Sequence, residues 1–507
     1  MSKTRRYEIP LNRVEGDLEV RVDVDEGVVT DAWSSGTMFR GFENLLLGRQ
    51  ALDSLVVTPR ICGVCSTTHL LAAAKALDMV SGVQPPPNAV RLRNIALMAE
   101  TLQSDLRHSV LFFLPDLAAS AYRRHPLFDE AVRRFEPAKG ETWVEAIIET
   151  KKILEIVAII AGQWPHSSFI VPGGVAYSPH PTELLQCRYI LRRVREWYEK
   201  RILGCSIDRW REVRSAAHLD AWLEERADHR ESALGFFLDF GRRIGLDETG
   251  RGHDSFLSFG SLELPEGTDV AGPGESTRLI PAGYFDGATT HAFDQSLISE
   301  DVSFSLAADY ETGLHPVEGV TAPVTGDSGT RYSWVKAPRY DGRPAETGPL
   351  AEALVGGDPL LRDLVARNGA STLVRQLARL TRPATMMPAI EAWIAEIPAS
   401  SNGDTYVPYG TLEEGSGHGV IQAARGALGH WVTVRDGVIT HYQVITPSAW
   451  NGSPRDGAGV RGPWEEALVG TVIADPDDPV EAGHVIRSFD PCLVCAVHAI
   501  DRRRENT

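Results

Sequence analysis

Two C-x-x-C motifs near opposite ends of this 507-residue chain constrain its fold more than any other feature. Cys62 and Cys65 form the first pair, in RICGVCSTTH, and Cys492 and Cys495 form the second, in DPCLVCAVH. Two thiols at this spacing can both reach one metal ion. If both pairs serve one site, the fold must bring the two ends of the chain together and close as a single unit.

Three kinds of site use cysteine pairs of this type. A zinc ribbon has two such pairs, but they usually lie about 15–20 residues apart in a small local module. A thioredoxin-like redox site needs only one pair, on a βαβ unit. The third kind is closed by the whole fold and holds soft metals on four thiolates. The spacing by itself leaves structural zinc open as an alternative.

Composition and charge exclude several classes of protein. With 43% hydrophobic and 23% charged residues, the chain is expected to be globular. A net charge of −17 argues against nucleic-acid binding. No apolar run approaches the ~20 residues that span a bilayer, and no apolar segment follows the basic N-terminus as in a signal peptide. We therefore expect a cytoplasmic protein, which would reach the cytoplasmic membrane face only through partners.

The apolar periodicity predicts a mainly α protein with α+β lobes. Helical spacing extends over residues 88–114, 143–161, 181–203 and 359–380. Helices of this length bury their apolar stripes best against one another. Strand-like alternation around tight turns predicts β-hairpins at residues 18–33 and 431–445. The predicted fold is a core bundle of long helices with peripheral hairpins.

The residues around the cysteines carry a more specific signal. The first motif, Arg60 to His69, follows R-x-C-G-x-C-x-x-x-H, and the second, Asp490 to His498, follows D-P-C-x-x-C-x-x-H. Together they closely resemble the two signatures of nickel–iron hydrogenase large subunits. The segments RVEGDLEV, FRGFENLLLGR, GQWPHSSFIVPGG and WNGSPRD resemble the family in the family's order, most of all its cyanobacterial-type uptake enzymes. The resemblance implies the large-subunit fold as one domain over residues 1–498.

The resemblance also implies a nickel–iron centre with carbon monoxide and cyanide on the iron. Cys62 and Cys492 would be terminal nickel ligands, while Cys65 and Cys495 would bridge nickel to iron. Four soft thiolates suit both metals, and the thiolate is the ligating form.

Three further residues match positions that act beside the metals in this family. Glu15, in RVEG, would be the proton gate that accepts a proton from a cysteine sulfur. Arg425 would overhang the metals and, together with Ser448, would bind a cyanide ligand. Without the resemblance, an isolated Glu15 near an N-terminal strand would be interpreted as a solvated charge.

Three other residues would support the metal centre without binding the metals themselves. Asp490 and Asp456 would orient Arg425 and its surroundings, although a structural salt bridge would explain either aspartate equally well. His69 would hydrogen-bond a bridging cysteine sulfur.

A harder cation, Mg²⁺ in much of the family, is implied at a separate site. Glu43, in RGFE, and His498 match its side-chain ligands, and the carbonyl of Val444 would be a third ligand. Mg²⁺ prefers oxygen and keeps several waters, so a histidine ligand is unusual.

The chain departs from the family pattern around the arginine. Gln422 and Ala424 stand where Glu and Pro are common, and Ser104 takes the place of an aspartate that faces the arginine in many members. Asp105 follows one position later, which on a helix is a rotation of about 100°. We therefore expect Asp105 to face elsewhere, and the partners of Arg425 to differ.

The implied function is that of the catalytic large subunit of an uptake hydrogenase, which oxidises H2 to protons and electrons. Only Cys187 and Cys205 stay unassigned, too few for an iron–sulfur cluster. We therefore expect an obligate iron–sulfur small subunit, in a heterodimer or a higher oligomer, that passes electrons to a quinone or similar acceptor. The alternatives are an H2-sensing regulatory subunit, a scaffold related to respiratory complex subunits, and a structural zinc protein.

The last nine residues, 499–507, read AIDRRRENT. They resemble the tail that a maturation protease removes in this family after chaperones have inserted the metals. Three consecutive arginines would be costly to bury beside an inward-facing His498. We therefore expect residues 499–507 to be a removable C-terminal peptide.

Overall fold

A computed structural model describes residues 5–16, 18–308, 310, 313–325, 328–398 and 404–492 of the chain. Within these ranges the chain forms fourteen strands, of which all but β4 belong to five small sheets, together with eighteen α-helices. The strands are β1 Arg5–Pro10, β2 Leu18–Asp25, β3 Val28–Gly36, β4 Phe39–Arg40, β5 Ile170–Val171, β6 Gly174–Val175, β7 Phe256–Glu263, β8 Arg278–Phe285, β9 Thr290–His291, β10 Ile298–Asp301, β11 Ala337–Tyr340, β12 Gly415–Ala423, β13 Gly426–Arg435 and β14 Val438–Ile445.

Five of the helices have fourteen residues or more, and several have only a single turn. They are α1 Phe42–Leu46, α2 Ser54–Val57, α3 Ser66–Ser81, α4 Pro87–Arg107, α5 Phe128–Phe135, α6 Glu141–Ala161, α7 Pro181–Trp197, α8 Ile207–Trp210, α9 Ala216–Glu225, α10 Ala227–Glu231, α11 Ala233–Arg243, α12 Pro349–Val355, α13 Pro359–Asn368, α14 Thr372–Thr381, α15 Pro383–Glu396, α16 Pro447–Asn451, α17 Pro463–Leu468 and α18 Val480–Ser488.

A group of long helices forms the centre of the molecule. Helix α4 is buried along almost its whole length and packs against α6 and α15, while α7 packs against α6 and α15. The α-helical part of α4 ends at Arg107, and a π-helical turn that begins at His108 continues it. None of the described helices is long and apolar enough to cross a bilayer.

The prediction of one helix over residues 359–380 is wrong, because two helices occupy that range. Gly369, with a φ of 76°, ends α13, and Ser371 caps α14 by accepting a hydrogen bond from the amide of Val374. A left-handed glycine followed by a serine cap is a helix boundary in itself. Helix α14 carries Arg379, and Arg382 follows directly after its last residue; both are buried arginines described below.

The hairpin predicted at residues 431–445 is confirmed, but it is not peripheral. Strands β12, β13 and β14 form one antiparallel sheet, and β12 lies directly on helix α3. Gly417 and Gly419 permit this contact, because a Cβ on either would overlap the carbonyl oxygen of Ala76 or Ala72 in α3. The sheet is therefore central, and its β12–β13 turn lies over the start of α3.

The N-terminal segment meets the segment that leads to the second cysteine pair. The predicted N-terminal hairpin is confirmed as β2 and β3, and β1 pairs with β2 as a third strand that the sequence pattern did not reveal. After β1 the chain passes Glu15, whose amide donates a hydrogen bond of 3.3 Å to the carbonyl oxygen of Pro491. The segment before the second cysteine pair is thus joined to the N-terminal segment through the backbone.

Candidate metal centre

Three cysteine sulfurs from distant parts of the chain converge in the interior. The Sγ atoms of Cys62 and Cys492 are 3.5 Å apart, and those of Cys62, Cys65 and Cys492 all lie within 4.8 Å of one another. All three residues are buried. Cys495 lies outside the described residues. A closed group of soft sulfur donors fits nickel or iron rather than a hard cation such as Mg²⁺.

Local structure fixes the first cysteine pair. Cys62 follows a short 3-10 turn, and Cys65 is the N-cap residue directly before helix α3. The carboxylate of Glu100, from α4, accepts hydrogen bonds from the amides of Thr67 and Thr68 at 2.8 and 2.9 Å. A carboxylate at a helix N-terminus satisfies amides that have no partner within the helix. Glu100 therefore ties the cysteine-bearing turn to the central helices.

Glu100 was missed in the sequence, although an acidic residue within the apolar run IALMAETL was a signal. Its carboxylate also accepts a hydrogen bond of 2.9 Å from the indole of Trp164. Burial and the neighbouring Cys65 raise the pKa of Glu100 to about 7.

Arg425 lies directly beside the sulfurs, in the turn between β12 and β13. Its Nη1 donates to Cys65 Sγ at 3.1 Å, and its Nε donates to Asp490 Oδ1 at 3.0 Å. Burial alone would lower the pKa of Arg425, but Asp490 and the cysteines raise it well above its usual value. The guanidinium is therefore a fixed positive donor over the site and not a proton acceptor.

Asp490 is the carboxylate partner of Arg425. Its backbone is left-handed, with a φ of 57°, and its Oδ1 is 2.9 Å from Nδ1 of His108. Its Oδ2 is 3.1 Å from Nη1 of Arg379. Burial raises the pKa of Asp490, but Arg425, His108 and Arg379 outweigh it and hold that pKa well below its ordinary value. The carboxylate is therefore ionised and shared between two arginines.

Ser448 and Glu15 approach the site next to Cys492. The amide of Cys492 donates a hydrogen bond of 2.9 Å to Ser448 Oγ, which leaves the hydroxyl proton available for another acceptor. Glu15 pairs with Cys492 through a parallel backbone bridge, and its side chain is half-buried. Both residues thus contact the backbone of Cys492.

His69 is buried in helix α3, one turn after Cys65. Its Nδ1 is 3.0 Å from Nε2 of His430, and Nδ1 of His430 is 2.8 Å from the hydroxyl of Tyr442. One ring nitrogen must donate and the other accept in the contact between the histidines. His69 is therefore held by a line of buried polar side chains that extends into the central sheet.

Asp456 is held by Arg339 and by its own loop, while a role in orienting Arg425 stays a prediction. It accepts a hydrogen bond of 2.9 Å from Nε of Arg339 and further bonds from the amides of Ala458 and Val460. These contacts fold the SPRD loop on itself. Asp456 thus has the structural salt bridge that was the alternative interpretation.

Glu43 and Val444 meet in a separate buried pocket. Glu43 Oε1 accepts a hydrogen bond of 2.8 Å from the amide of Val444, and Oε2 accepts one from the hydroxyl of Thr321. The buried ammonium of Lys336 lies close enough for Glu43 to raise its pKa against the opposing effect of burial. A buried carboxylate beside a backbone carbonyl offers oxygen donors to a hard cation. His498 lies outside the described residues.

Comparison with known proteins identifies relatives over almost the whole chain. The family described as nickel-dependent hydrogenase matches residues 40–114 and 244–498. The chain is 32% identical to the periplasmic [NiFeSe] hydrogenase large subunit of Desulfomicrobium baculatum, over 97% of this chain and 94% of that protein. It is 30% identical to the uptake hydrogenase large subunit of Bradyrhizobium diazoefficiens, again over 97% and 94%. Among solved structures, the reduced Ni-Fe-Se hydrogenase of Desulfovibrio vulgaris Hildenborough matches 98% of this chain and 100% of its own, at 31% identity and a TM-score of 0.81.

Proposed function

The chain belongs to the nickel-dependent hydrogenase family as a catalytic large subunit, and we propose that it oxidises H2 at a nickel–iron centre held by four cysteines. The observation that carries the proposal is the convergence of Cys62, Cys65 and Cys492 within 4.8 Å beneath a buried arginine. Cys495 completes the ligand set in this proposal. A centre of this kind, with carbon monoxide and cyanide on the iron, would supply the electrophile that polarises H2 for heterolytic cleavage.

Arg425 and Ser448 are the residues that we propose to hold the cyanide ligands. Arg425 presents fixed N–H donors in a dry site, and Ser448 has a hydroxyl proton that its bond to the Cys492 amide does not use. Donors that are already oriented cost little reorganisation when a polar ligand binds. Asp490 keeps Arg425 charged and in one orientation.

Glu15 is the proposed proton acceptor. Its backbone is bridged to Cys492, and in this proposal its carboxylate takes the proton that the sulfur of Cys492 would receive from H2. The side chain is only half-buried, which gives a proton a way to water. Burial lowers the pKa of the nearby Arg107, and Glu15 raises it, so the two charges lie within electrostatic reach. A carboxylate with these surroundings can accept a proton and release it.

We further propose that Glu43, the carbonyl of Val444 and His498 hold a Mg²⁺ or similar cation. Glu43 is 3% exposed, and a carboxylate buried to that extent needs positive charge nearby. Lys336 supplies part of it from the opposite side, where its Nζ is also 3.1 Å from Glu300. The cation would join the C-terminal segment to the central sheet.

The electrons released from H2 must pass to clusters that another subunit carries. Four of the six cysteines are assigned to the metals, and Cys187 and Cys205 cannot ligate a cluster that needs four thiolates. The relatives are named large subunits, which implies a small subunit. We propose that it carries iron–sulfur clusters, binds in an obligate heterodimer or higher oligomer, and passes electrons to a quinone or similar acceptor.

Maturation and location are also part of the proposal. Residues 499–507 would be removed by a protease after chaperones have inserted the metals, and the loss would be visible in the intact mass of the mature subunit. Because one relative is named periplasmic, the cytoplasmic location expected from the sequence stays a prediction that cell fractionation tests.

The decisive experiment is metal analysis and infrared spectroscopy on the chain purified with its partner. The proposal requires nickel, iron in excess of nickel because the clusters of the partner also contain iron, stretching bands of carbon monoxide and cyanide, and H2-dependent reduction of a dye. Zinc without nickel would contradict it and would restore the structural zinc interpretation. Magnesium in the same preparation would support the second cation site.

A further inference from the structure

A continuous line of buried ion pairs begins at the arginine that contacts Cys65. Successive groups are 3.0, 3.1, 3.1, 2.6 and 2.6 Å apart, and no member is more than 8% exposed. Three positive and three negative side chains alternate, so the line as a whole is neutral, which is the condition under which buried charges are tolerated. In order, its members are Arg425, Asp490, Arg379, Asp105, Arg382 and Glu352.

Arg379 and Arg382 contact the groups that neighbour Arg425. Nη1 of Arg379 is 3.1 Å from Asp490 Oδ2, and it also donates to the carbonyl oxygen of Ala424 at 3.3 Å. Nη2 of Arg382 donates to the same carbonyl at 2.6 Å. Ala424 precedes Arg425, and Asp490 accepts from Nε of Arg425. Arg379 and Arg382 therefore hold the backbone next to Arg425, and Arg379 also contacts the carboxylate that holds its side chain.

Asp105 keeps the two guanidinium groups together. Its Oδ1 accepts bonds from Arg379 at 3.1 Å and Arg382 at 2.6 Å, and its Oδ2 accepts a third bond from Nε of Arg382 at 2.8 Å. Without this carboxylate, two buried cations would repel each other. The neighbouring Ser104 points elsewhere, and its buried hydroxyl has no hydrogen-bond partner among the residues described.

We propose that Arg379 and Arg382, held together by Asp105, are positioning residues for Arg425 at the metal centre. The inference rests on the proposed function, because its effect is on ligands of that centre. Arg425 contacts Cys65 Sγ at 3.1 Å, so a change in the hold on Asp490 or on the Ala424 carbonyl moves the donor that faces the metals.

The test uses Arg379→Lys and Asp105→Asn in the purified complex. Lysine keeps the charge of Arg379 but lacks the planar fork that reaches several acceptors at once. We expect activity per bound nickel to fall roughly 10–100-fold, the usual effect of changing outer partners of a metal site. We also expect the cyanide stretching bands to shift, a change that partial unfolding would not cause, since it would only weaken the bands.

Asp78→Asn is the matched control. It also removes one carboxylate from a buried arginine, Arg93 at 2.6 Å, but at the far end of α3 and outside the line of ion pairs. Its band positions and activity per nickel should equal those of the wild type. Arg382→Lys, which lies at a surface groove, provides a second variant if Asp105→Asn does not fold.

Two negative results have different meanings. Wild-type complex without carbon monoxide and cyanide bands would contradict the proposed function. Wild-type bands at unchanged positions in folded Arg379→Lys and Arg382→Lys, with unchanged activity per nickel, would contradict the positioning role and leave the proposed function intact.

Discussion

The Sγ atoms of Cys62 and Cys492 lie 3.5 Å apart, although 430 positions separate the two residues in the sequence. Two thiolates at that distance repel strongly in a buried site unless a cation or a proton lies between them. Arg425 supplies one positive charge, which is too little for three or four thiolates. The proposed metal ions would neutralise the thiolates, so each cysteine should matter for the stability of the metal-loaded protein as well as for catalysis.

Replacement of Cys492 by serine should abolish H2-dependent dye reduction and nickel binding. The hydroxyl is a poor ligand for soft metals and does not ionise at neutral pH. Cys205→Ser is the matched control, because Cys205 lies elsewhere and accepts a hydrogen bond from the indole of Trp222. The control should retain nickel and activity. A Cys492→Ser variant with full activity would remove this cysteine from the mechanism.

Replacement of Glu15 by glutamine should leave the metals bound and reduce H2 oxidation at least about 100-fold, the lower end of the usual effect of a positioned acid–base group. The amide keeps the backbone bridge to Cys492 but cannot accept a proton at neutral pH. Dye reduction and nickel content are measured on the same sample. Glu8→Gln, on the exposed part of β1, is the control and should behave as wild type. An unchanged rate in Glu15→Gln would exclude the proton-gate role.

Gly419→Ala should destabilise the protein by at least about 1–3 kcal/mol, the typical cost of inserting atoms into a packed interface. The added Cβ overlaps the carbonyl oxygen of Ala72, so β12 must move away from α3, the helix that follows Cys65. The melting temperature and the nickel content should both fall. Gly410→Ala is the control, since its Cβ would meet no atom within 4 Å. Equal melting temperatures would show that the strand does not need this close approach.

The parts of the fold with local signals were predictable from the sequence. The left-handed Asp436 and Gly437 form the turn of the hairpin β13–β14, and Gly162 ends α6 as its position required. The break between α13 and α14 also had a local signal, in Gly369, but the apolar periodicity on both sides concealed it. The pairing of β1 with β2 had no comparable signal, because the strand is half-exposed and its partner follows an irregular loop.

In the candidate site, only the residues within recognisable sequence motifs were predictable. The cysteine pairs and Arg425 are in quoted motifs, whereas the partners that hold Arg425 depend on how distant helices pack. Asp105 and Arg379 lie in helical stretches, where the role of a charged side chain cannot be predicted until its partner on another helix is known. Arg379 in α14 and Arg382 just after that helix are three positions apart, which was a usable signal for a buried ion-pair network. Asp456 shows the opposite case, in which a motif residue makes a structural ion pair.

Replacement of Glu465 by glutamine should make stability less dependent on pH. Glu465 is fully buried in α17, and burial raises its pKa to about 7 from an ordinary value of 4.5, despite hydrogen bonds from the Ser34 amide and the Tyr332 hydroxyl. Between pH 4.5 and 7 the folded chain keeps a proton that the unfolded chain releases. Stability from this group is therefore complete below pH 4.5 and is lost as the pH rises to 7.

Glutamine is neutral at every pH, so the free energy of unfolding of the variant should rise relative to that of the wild type as the pH rises, by up to roughly 3 kcal/mol above pH 7. Denaturant unfolding of both proteins across this window measures the difference. The glutamine amide still offers an oxygen to Ser34 and Tyr332, so its own contacts change little. Parallel stability profiles for the two proteins would mean that Glu465 is ionised in the folded state across the whole range, and that Arg455, 3.7 Å away, outweighs its burial.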